Sequence, residues 1–348
     1  MSTFHPLKIT NIIKETADAV SIIFDVPTNL KDTFSFIAGQ YITIKATVDS
    51  EEVRRAYSLC SSPKSNELKV AVKAVENGTF SVYATTKLKV GDVLEVAKPE
   101  GRFTLQPEVA KNYIGFAAGS GITPLMAMIK AVLEEDTTAT FTLVYGNKSI
   151  GTTIFKDELN NLAIANAERF KLHYVFSKEA KEDSLFGRVD ADKVNHFIKK
   201  VYKDTRFESA FLCGPEAMIN NVTEALKAND FADEAILHEL FTASTTEEAT
   251  APASDGTTAV TVLLDDEEAT FTMKQSDDIL AASLRNNIDA PYSCQGGICS
   301  SCMAIVTEGK AVMSKNHILS EQELADGYIL TCQAHPVTPT ITVDFDEA

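Results

Sequence analysis

Cys294, Cys299 and Cys302 lie in one short stretch, CQGGICSSC, and Cys332 follows after a long gap. Four thiols gathered in one region of a chain point to a metal centre or redox chemistry, and their spacing discriminates between centres. A structural zinc ion is usually held by two C-x2-C pairs or by mixed cysteine and histidine ligands, and only one x2 spacing occurs here. The pattern C-x4-C-x2-C with a distant fourth cysteine is one that holds a [2Fe-2S] cluster, because a tight loop must wrap one edge of a two-iron centre. Gly296 and Gly297 allow the loop backbone to approach the sulfides without a Cβ in the way. The hydroxyls of Ser293, Ser300 and Ser301 can hydrogen-bond to sulfur, which raises a reduction potential. Such a cluster passes one electron at a time and makes no bonds, so another part of the chain must load it. Cys60 and Cys213 stand in other contexts and are not expected to be ligands.

A second constellation suits a dinucleotide. In AAGSGITP, Gly119 and Gly121 follow an apolar strand and precede a helix expected to begin near Thr123. A phosphate fits there against free N–H groups and the positive end of the helix dipole. Ile122, Thr123 and Pro124 make the first turn, and Pro124 stands where the third glycine of G-x-G-x-x-G is usual. An ordinary strand-to-helix turn has the same composition. The next strand ends in Asn147 and Lys148, with no Asp or Glu to claim a ribose 2′-hydroxyl, and a later one ends in Ser177 and Lys178. A hydroxyl and cations at those ends favour NADPH over NADH; ordinary exposed polar residues are the alternative.

Composition sets the frame for both constellations. The chain has 348 residues, 45% hydrophobic and 23% charged, which suits a folded enzyme of two or three domains. A net charge of -17 with no Lys/Arg cluster argues against nucleic acid, and an acidic surface suits a basic protein partner or simply keeps the chain soluble. No run approaches the ~20 apolar residues that span a bilayer, and the start, MSTFHPLKIT, lacks the apolar core of a secretory signal. A cytoplasmic location without membrane contact is expected, where thiols stay reduced and six cysteines serve metal or redox chemistry rather than disulfides.

The elements that must position these residues fall into three groups. Residues 1–107 carry short alternating runs (AVSIIFDV, YITIKA, LKVAVKAV, DVLEVA) split by turn residues, the pattern of a small β-barrel. Residues 108–241 alternate apolar strands with helical periodicity, which predicts an α/β domain with a parallel sheet. Residues 242–257 are rich in Thr, Ala and Ser without periodicity and read as a flexible linker whose ends would lie on the order of 20 to 25 Å apart. Residues 258–348 predict a hairpin, a helix starting near Asp277 and Asp278, and a closing strand TITVDF, a small α+β domain.

Three stretches carry resemblances to known families. The last domain, through PYSCQGGICSSCMAIVTEGKAVM and LADGYILTCQAHP, resembles plant-type ferredoxins with their β-grasp-like fold. The barrel, through RRAYSLC and NGTFS, and the α/β domain, through FLCGPEAMI, resemble the ferredoxin-NADP reductase family of flavoproteins. That resemblance implies an R-x-Y-S flavin motif in which Arg55 pairs with a flavin phosphate, Ala56 and Tyr57 lie along the isoalloxazine, and Ser58 hydrogen-bonds near N5. It further implies flavin contacts from Val72 and Lys73, phosphate binding by Gly78, Thr79, Phe80 and Ser81 at a helix start, and Cys213 beside the nicotinamide. Gly214, Pro215 and Met218 then lie along the nicotinamide cofactor, and Phe241 either shields the flavin or packs in the core. Tyr57, Ser58 and Cys213 are the catalytic candidates.

The order flavin barrel, nucleotide domain, ferredoxin is similar to that of oxygenase reductase components. Among these the whole chain is most similar to the reductases of multicomponent di-iron oxygenases that act in ring-1,2-phenylacetyl-CoA epoxidation. The resemblance implies FAD, NADPH and a [2Fe-2S] cluster as cofactors, with electrons delivered to a separate oxygenase. A reductase serving another hydroxylase or desaturase, an electron-transfer component of the dihydroorotate dehydrogenase type, and a redox sensor or carrier that does not turn over nicotinamide are the alternatives. In the dihydroorotate type the fourth cysteine follows the third closely, unlike Cys302 and Cys332.

Overall fold

The computed structural model describes residues 3–134, 138–241 and 256–348, so all but the end of the expected linker lies outside the described residues. The chain divides into two compact units, one spanning Phe4–Phe241 and one formed by the C-terminal residues.

The first unit opens with six strands: β1 (Phe4–Thr16), β2 (Ala19–Asp25), β3 (Tyr41–Val48), β4 (Glu51–Ser58), β5 (Leu68–Lys73) and β6 (Val93–Ala97), with helix α1 (Thr79–Thr86) between the last two. They pair antiparallel in the order β4-β3-β6-β1-β2-β5. A bridge from Leu59 to Val70 joins the two edges, so the sheet rolls into a barrel around Leu7, Ile22, Ile42 and Val96. The period of two along a strand sorts β5 into two faces: Leu68, Val70 and Val72 fill the barrel, while Ala71 packs into the neighbouring core beside Cys60 and Phe103.

That neighbouring core belongs to a parallel sheet of β7 (Asn112–Ala118), β8 (Thr140–Asn147), β9 (Phe170–Phe176), β10 (Ser184–Phe186), β11 (Ser209–Cys213) and β12 (Ile236–Glu239). Helices α2 (Ile122–Glu134), α3 (Lys156–Ala165), α4 (Ala191–His196) and α5 (Glu216–Lys227) connect them. Every neighbouring pair is parallel, in the order β10-β9-β8-β7-β11-β12. The chain builds outward from β7 in one direction and then returns to β11 on its other side. The switch point, where ligands bind in such sheets, therefore lies between the carboxyl ends of β7 and β11.

The second unit holds β13 (Thr257–Leu264), β14 (Glu267–Lys274), β15 (Met303–Glu308), β16 (Ala311–Met313), β17 (Tyr328–Leu330), β18 (Ala334–Pro336) and β19 (Thr340–Asp344), with α6 (Ile279–Arg285) and α7 (Glu321–Ala325). Its five-stranded mixed sheet runs β14-β13-β19-β15-β17, with β13 and β19 parallel. The expected hairpin is β13 with β14, and the carboxylate of Asp278 caps α6 by accepting from the Ala281 N–H at 2.7 Å. Among the described residues no helix is long and apolar enough to cross a membrane.

Candidate functional site

The flavin motif lies on β4. Arg55 is exposed, its Nη1 donating to the Arg54 carbonyl at 2.7 Å. Tyr57 is half-buried with its ring centroid 5.6 Å from that of Phe80, and burial pushes its hydroxyl pKa up against the opposing pull of Arg55. Phe80 is buried in the first turn of α1. That helix starts at Gly78 without a side-chain cap, which leaves the N–H groups of its first turn for a phosphate. Ser81 Oγ instead accepts from the Val75 N–H at 3.2 Å and closes the turn. A Cβ on Gly78 would lie 2.2 Å from Ser81 Oγ and 2.6 Å from Val75 Cγ2, so the turn admits only glycine without rearrangement. Val72 is buried within the barrel, whereas Lys73 Nζ lies 3.8 Å from Asp18 and 4.0 Å from the point where a Cβ on Gly119 would stand.

Gly119 begins the nucleotide edge in the left-handed region (φ +57°), which lets β7 turn sharply into a single 3-10 turn before α2. The helix starts at Ile122, one residue before the expected Thr123, and Thr123 Oγ1 donates back to the Ser120 carbonyl at 3.0 Å. Gly121 presses against the end of β11: a Cβ there would meet the Cys213 carbonyl oxygen at 2.1 Å and the Gly214 nitrogen at 2.9 Å. Gly214 in turn packs under Met218 and Ala118, and Pro215 caps α5. Cys213 is fully buried, and burial first and the Glu239 carboxylate second hold its thiol well above the usual range.

Glu239 has no signal in the sequence. The parallel register of β11 and β12 sets it directly opposite Cys213, and Ser58 Oγ donates to its Oε2 at 3.2 Å. Burial raises the Glu239 carboxyl to about 8, with the Ser58 bond pulling the other way. Ser58, Cys213 and Glu239 thus meet where the barrel adjoins the switch point. Phe241, two residues beyond, is 37% exposed.

At the ends of β8 and β9 the Ser177 N–H donates to the Asn147 carbonyl at 3.0 Å and the Lys178 N–H to the Lys148 carbonyl at 2.9 Å. The two lysines are exposed, while Asn147 is buried with its side chain beside the Tyr145 hydroxyl. A carboxylate does reach this edge: Glu179 Oε2 accepts from the Ile150 N–H at 3.0 Å and Oε1 lies 3.5 Å from Lys181. The usual place for such an acid is the end of β8, and this one arrives from the strand beside it.

In the second unit the four cysteines fall into two pairs. Cys299 Sγ lies 3.0 Å from Cys294 Sγ, and Cys302 pairs with Cys332. Two pairs suit two irons with two thiolates each. A single tetrahedral zinc ion would instead need its ligands around one point. The Cys299 thiol and the N–H groups of Gly296, Ile298 and Cys299 outweigh burial and lower the Cys294 pKa, while the same contact and burial raise that of Cys299. Gln295 and Gly297 both have left-handed backbones, and Gly297 passes within 3.1 Å of the Lys315 carbonyl by its missing Cβ. Ser293, 1% exposed, has an Oγ with no protein partner, a buried donor that a cluster sulfide would satisfy. Thr331 ties the ligand segments together, its N–H and Oγ1 both donating to the Cys302 carbonyl at 3.0 and 2.9 Å.

Three family models match in the order of these parts: an oxidoreductase FAD-binding domain over residues 6–105, an oxidoreductase NAD-binding domain over 116–224 and a 2Fe-2S iron-sulfur cluster binding domain over 262–337. One of the subunits of 1,2-phenylacetyl-CoA epoxidase from Escherichia coli (strain K12) is 40% identical over 99% of both chains. The ferredoxin reductase component of 3-ketosteroid-9-alpha-monooxygenase from Rhodococcus rhodochrous is 32% identical over 97% of this chain and 96% of its own. Among solved structures, phthalate dioxygenase reductase superposes over 98% of both chains with a TM-score of 0.63 at 24% identity, a likeness of fold.

Proposed function

The chain belongs to the family of oxygenase reductase components that includes this 1,2-phenylacetyl-CoA epoxidase component, and on that premise we propose that it carries electrons from NADPH to a di-iron oxygenase acting on phenylacetyl-CoA. It is an oxidoreductase with FAD-binding, NAD-binding and 2Fe-2S parts, and its electron acceptor is an oxygenase. The domain bounds we assign are 1–107, 108–241 and 258–348, joined by 242–257. None of the six cysteines is joined in a disulfide, which suits the cytoplasm.

When bound, nicotinamide supplies a hydride, FAD takes the electron pair and gives it up singly, and the [2Fe-2S] cluster passes on one electron at a time. Arg55 and the first turn of α1, from Gly78 to Ser81, hold the flavin phosphates, and Tyr57 and Lys73 border the ring system. Ala56 and Val72 supply backbone along it, and Phe241 covers its open face. Gly119, Gly121 and the first turn of α2 (Ile122, Thr123, Pro124) take the nicotinamide cofactor's phosphates, and Cys213, Gly214, Pro215 and Met218 line its reactive end. Asn147, Lys148, Ser177 and Lys178 receive the adenosine end, where the exposed lysines favour a 2′-phosphate. Glu239, protonated near neutral pH, holds a proton at the carboxyl that Ser58 Oγ contacts, and Cys213 keeps a neutral sulfur beside it. Cys294, Cys299, Cys302 and Cys332 hold the cluster, with Ser293 donating to it.

The observation that carries this reading is the Ser58–Glu239 hydrogen bond, which brings the flavin strand and the carboxyl edge of the nucleotide sheet together at the switch point. The acidic C-terminal unit, whose cations are Lys274, Arg285, Lys310 and Lys315 alone, suits docking on a basic partner surface. Cross-linking the reduced protein in extracts of its phenylacetate-grown source cells tests the partner. Cross-links from the 294–302 loop to a di-iron phenylacetyl-CoA oxygenase support the proposal. Reproducible cross-links to a different oxygenase, such as a steroid hydroxylase, would retain the electron path and discard the phenylacetyl-CoA assignment.

A further inference from the structure

We infer that Glu158 is a positioning residue for hydride transfer, pinning the barrel to the nucleotide domain so that the flavin strand and the nucleotide loop keep a fixed gap; this rests on the functional reading above. Glu158 lies on α3, and its carboxylate spans two domains. Oε1 is 2.7 Å from Lys130 Nζ on α2, and Oε2 is 3.6 Å from Lys69 Nζ on β5 of the barrel. Lys130 Nζ also donates to the Cys60 carbonyl of the barrel at 3.0 Å, and Ser62 Oγ of the barrel donates to Glu134 at the end of α2. The lysine side chains are only 7% and 12% exposed, and Lys69 also lies over the Phe155 ring, 5.2 Å from its centroid. The two withdrawn cations converge on one carboxylate, itself 38% exposed, and form a specific junction between the domains.

The placement of the junction gives it leverage. Along β5, Lys69 and Lys73 share the face turned toward the nucleotide domain, and four steps along the strand separate them by about 13 Å. Along α2, Lys130 lies eight residues beyond Ile122, about 12 Å of helix. Two stiff elements of nearly equal length are thus pinned at one end by Glu158. At the other end Lys73 Nζ stands 4.0 Å from the point where a Cβ on Gly119 would lie, at the mouth of the nucleotide loop. A change in spacing at the pin becomes a change in spacing where nicotinamide and flavin meet. A shift of about 1 Å between reacting groups can cost on the order of 100-fold in rate.

The test separates positioning from simple adhesion. The parent, Glu158→Gln and a triple variant, K69M/K130M/E158L, are each loaded with FAD. Their flavin reduction by NADPH is followed anaerobically by stopped-flow absorbance, alongside FAD content and thermal midpoint. Glu158→Gln leaves two buried cations facing a neutral group, so its midpoint falls. The triple variant removes all three charges together, which is often neutral for stability, so its midpoint recovers. The inference predicts that the limiting rate is at least about tenfold lower in both variants. It also predicts that the NADPH concentration for half-maximal rate stays within about twofold, because the residues that bind the cofactor are untouched. A triple variant whose rate recovers with its midpoint overturns the inference even if Glu158→Gln does not fold. A parent whose flavin is reduced by neither NADPH nor NADH refutes the functional reading, and the inference with it.

Discussion

Gly121→Ala tests the contact between the nucleotide loop and the end of β11. The added Cβ would stand 2.1 Å from the Cys213 carbonyl oxygen and 2.4 Å from its carbon, where ordinary contact begins near 3.4 Å. Both obstructing atoms are main chain in a buried parallel sheet, so no side chain can swing aside, and loop and strand must part by more than about 1 Å. Overpacking of this kind costs about 1 to 3 kcal/mol, or roughly 2 to 12 °C of thermal midpoint for a domain of this size. Because Cys213 and Glu239 share a register, the displacement also moves the groups beside the reacting centre, and flavin reduction by NADPH should slow by on the order of 100-fold. Gly151→Ala is the control, since its Cβ would meet nothing within 4 Å and its backbone is not left-handed. Stopped-flow reduction and thermal melts of both variants decide the matter. A Gly121→Ala protein within twofold of the parent in rate, with an unchanged midpoint, would refute the close-approach argument.

Three further outcomes are expected. Glu239, raised from 4.5 to about 8 by burial, keeps in the folded state a proton that the unfolded chain releases; its stabilising contribution is complete below pH 4.5 and disappears as pH rises through about 8. Glu239→Gln should flatten that part of the stability profile in pH-dependent melts, and an unchanged slope would contradict the raised carboxyl. Arg55→Ala should weaken FAD retention about tenfold or more during gel filtration, as loss of a charge-assisted phosphate contact implies; full retention contradicts that role. Cys299→Ser should abolish the cluster's visible bands while leaving NADPH oxidation with a small dye acceptor within about twofold, and parallel loss of both would break the modular scheme.

What can be read from the sequence is local. The C-x4-C-x2-C loop, R-x-Y-S, the glycines at 78, 119 and 121, and C-G-P-x-x-M each place their chemistry within one turn or one strand end, where spacing alone fixes geometry. The three-part architecture is legible because strand alternation gives way to helix-and-strand alternation near residue 108. Glu239 is not legible, since its meeting with Ser58 depends on how β12 pairs with β11 and how the barrel sits against both. The Lys69–Glu158–Lys130 junction is hidden for the same reason, with partners from three elements far apart in the chain. Short elements escape too: β10 has three residues, and α4 has six before it runs into a π-helical turn at Phe197–Val201. The strand β4 is recognised by its motif rather than its pattern, because EEVRRAYS mixes charges into what would otherwise be alternation.

The chain takes the electron pair of one hydride and releases it as single electrons through the four-cysteine site. Anaerobic titration of the FAD- and iron-loaded protein with NADPH, followed by visible absorbance and low-temperature electron paramagnetic resonance, tests it most directly. The flavin should bleach while a reduced [2Fe-2S] signal grows in the same titration, and Cys299→Ser should keep the bleaching without the signal. A protein in which NADPH and NADH leave both centres oxidised, although dithionite reduces them, would contradict it.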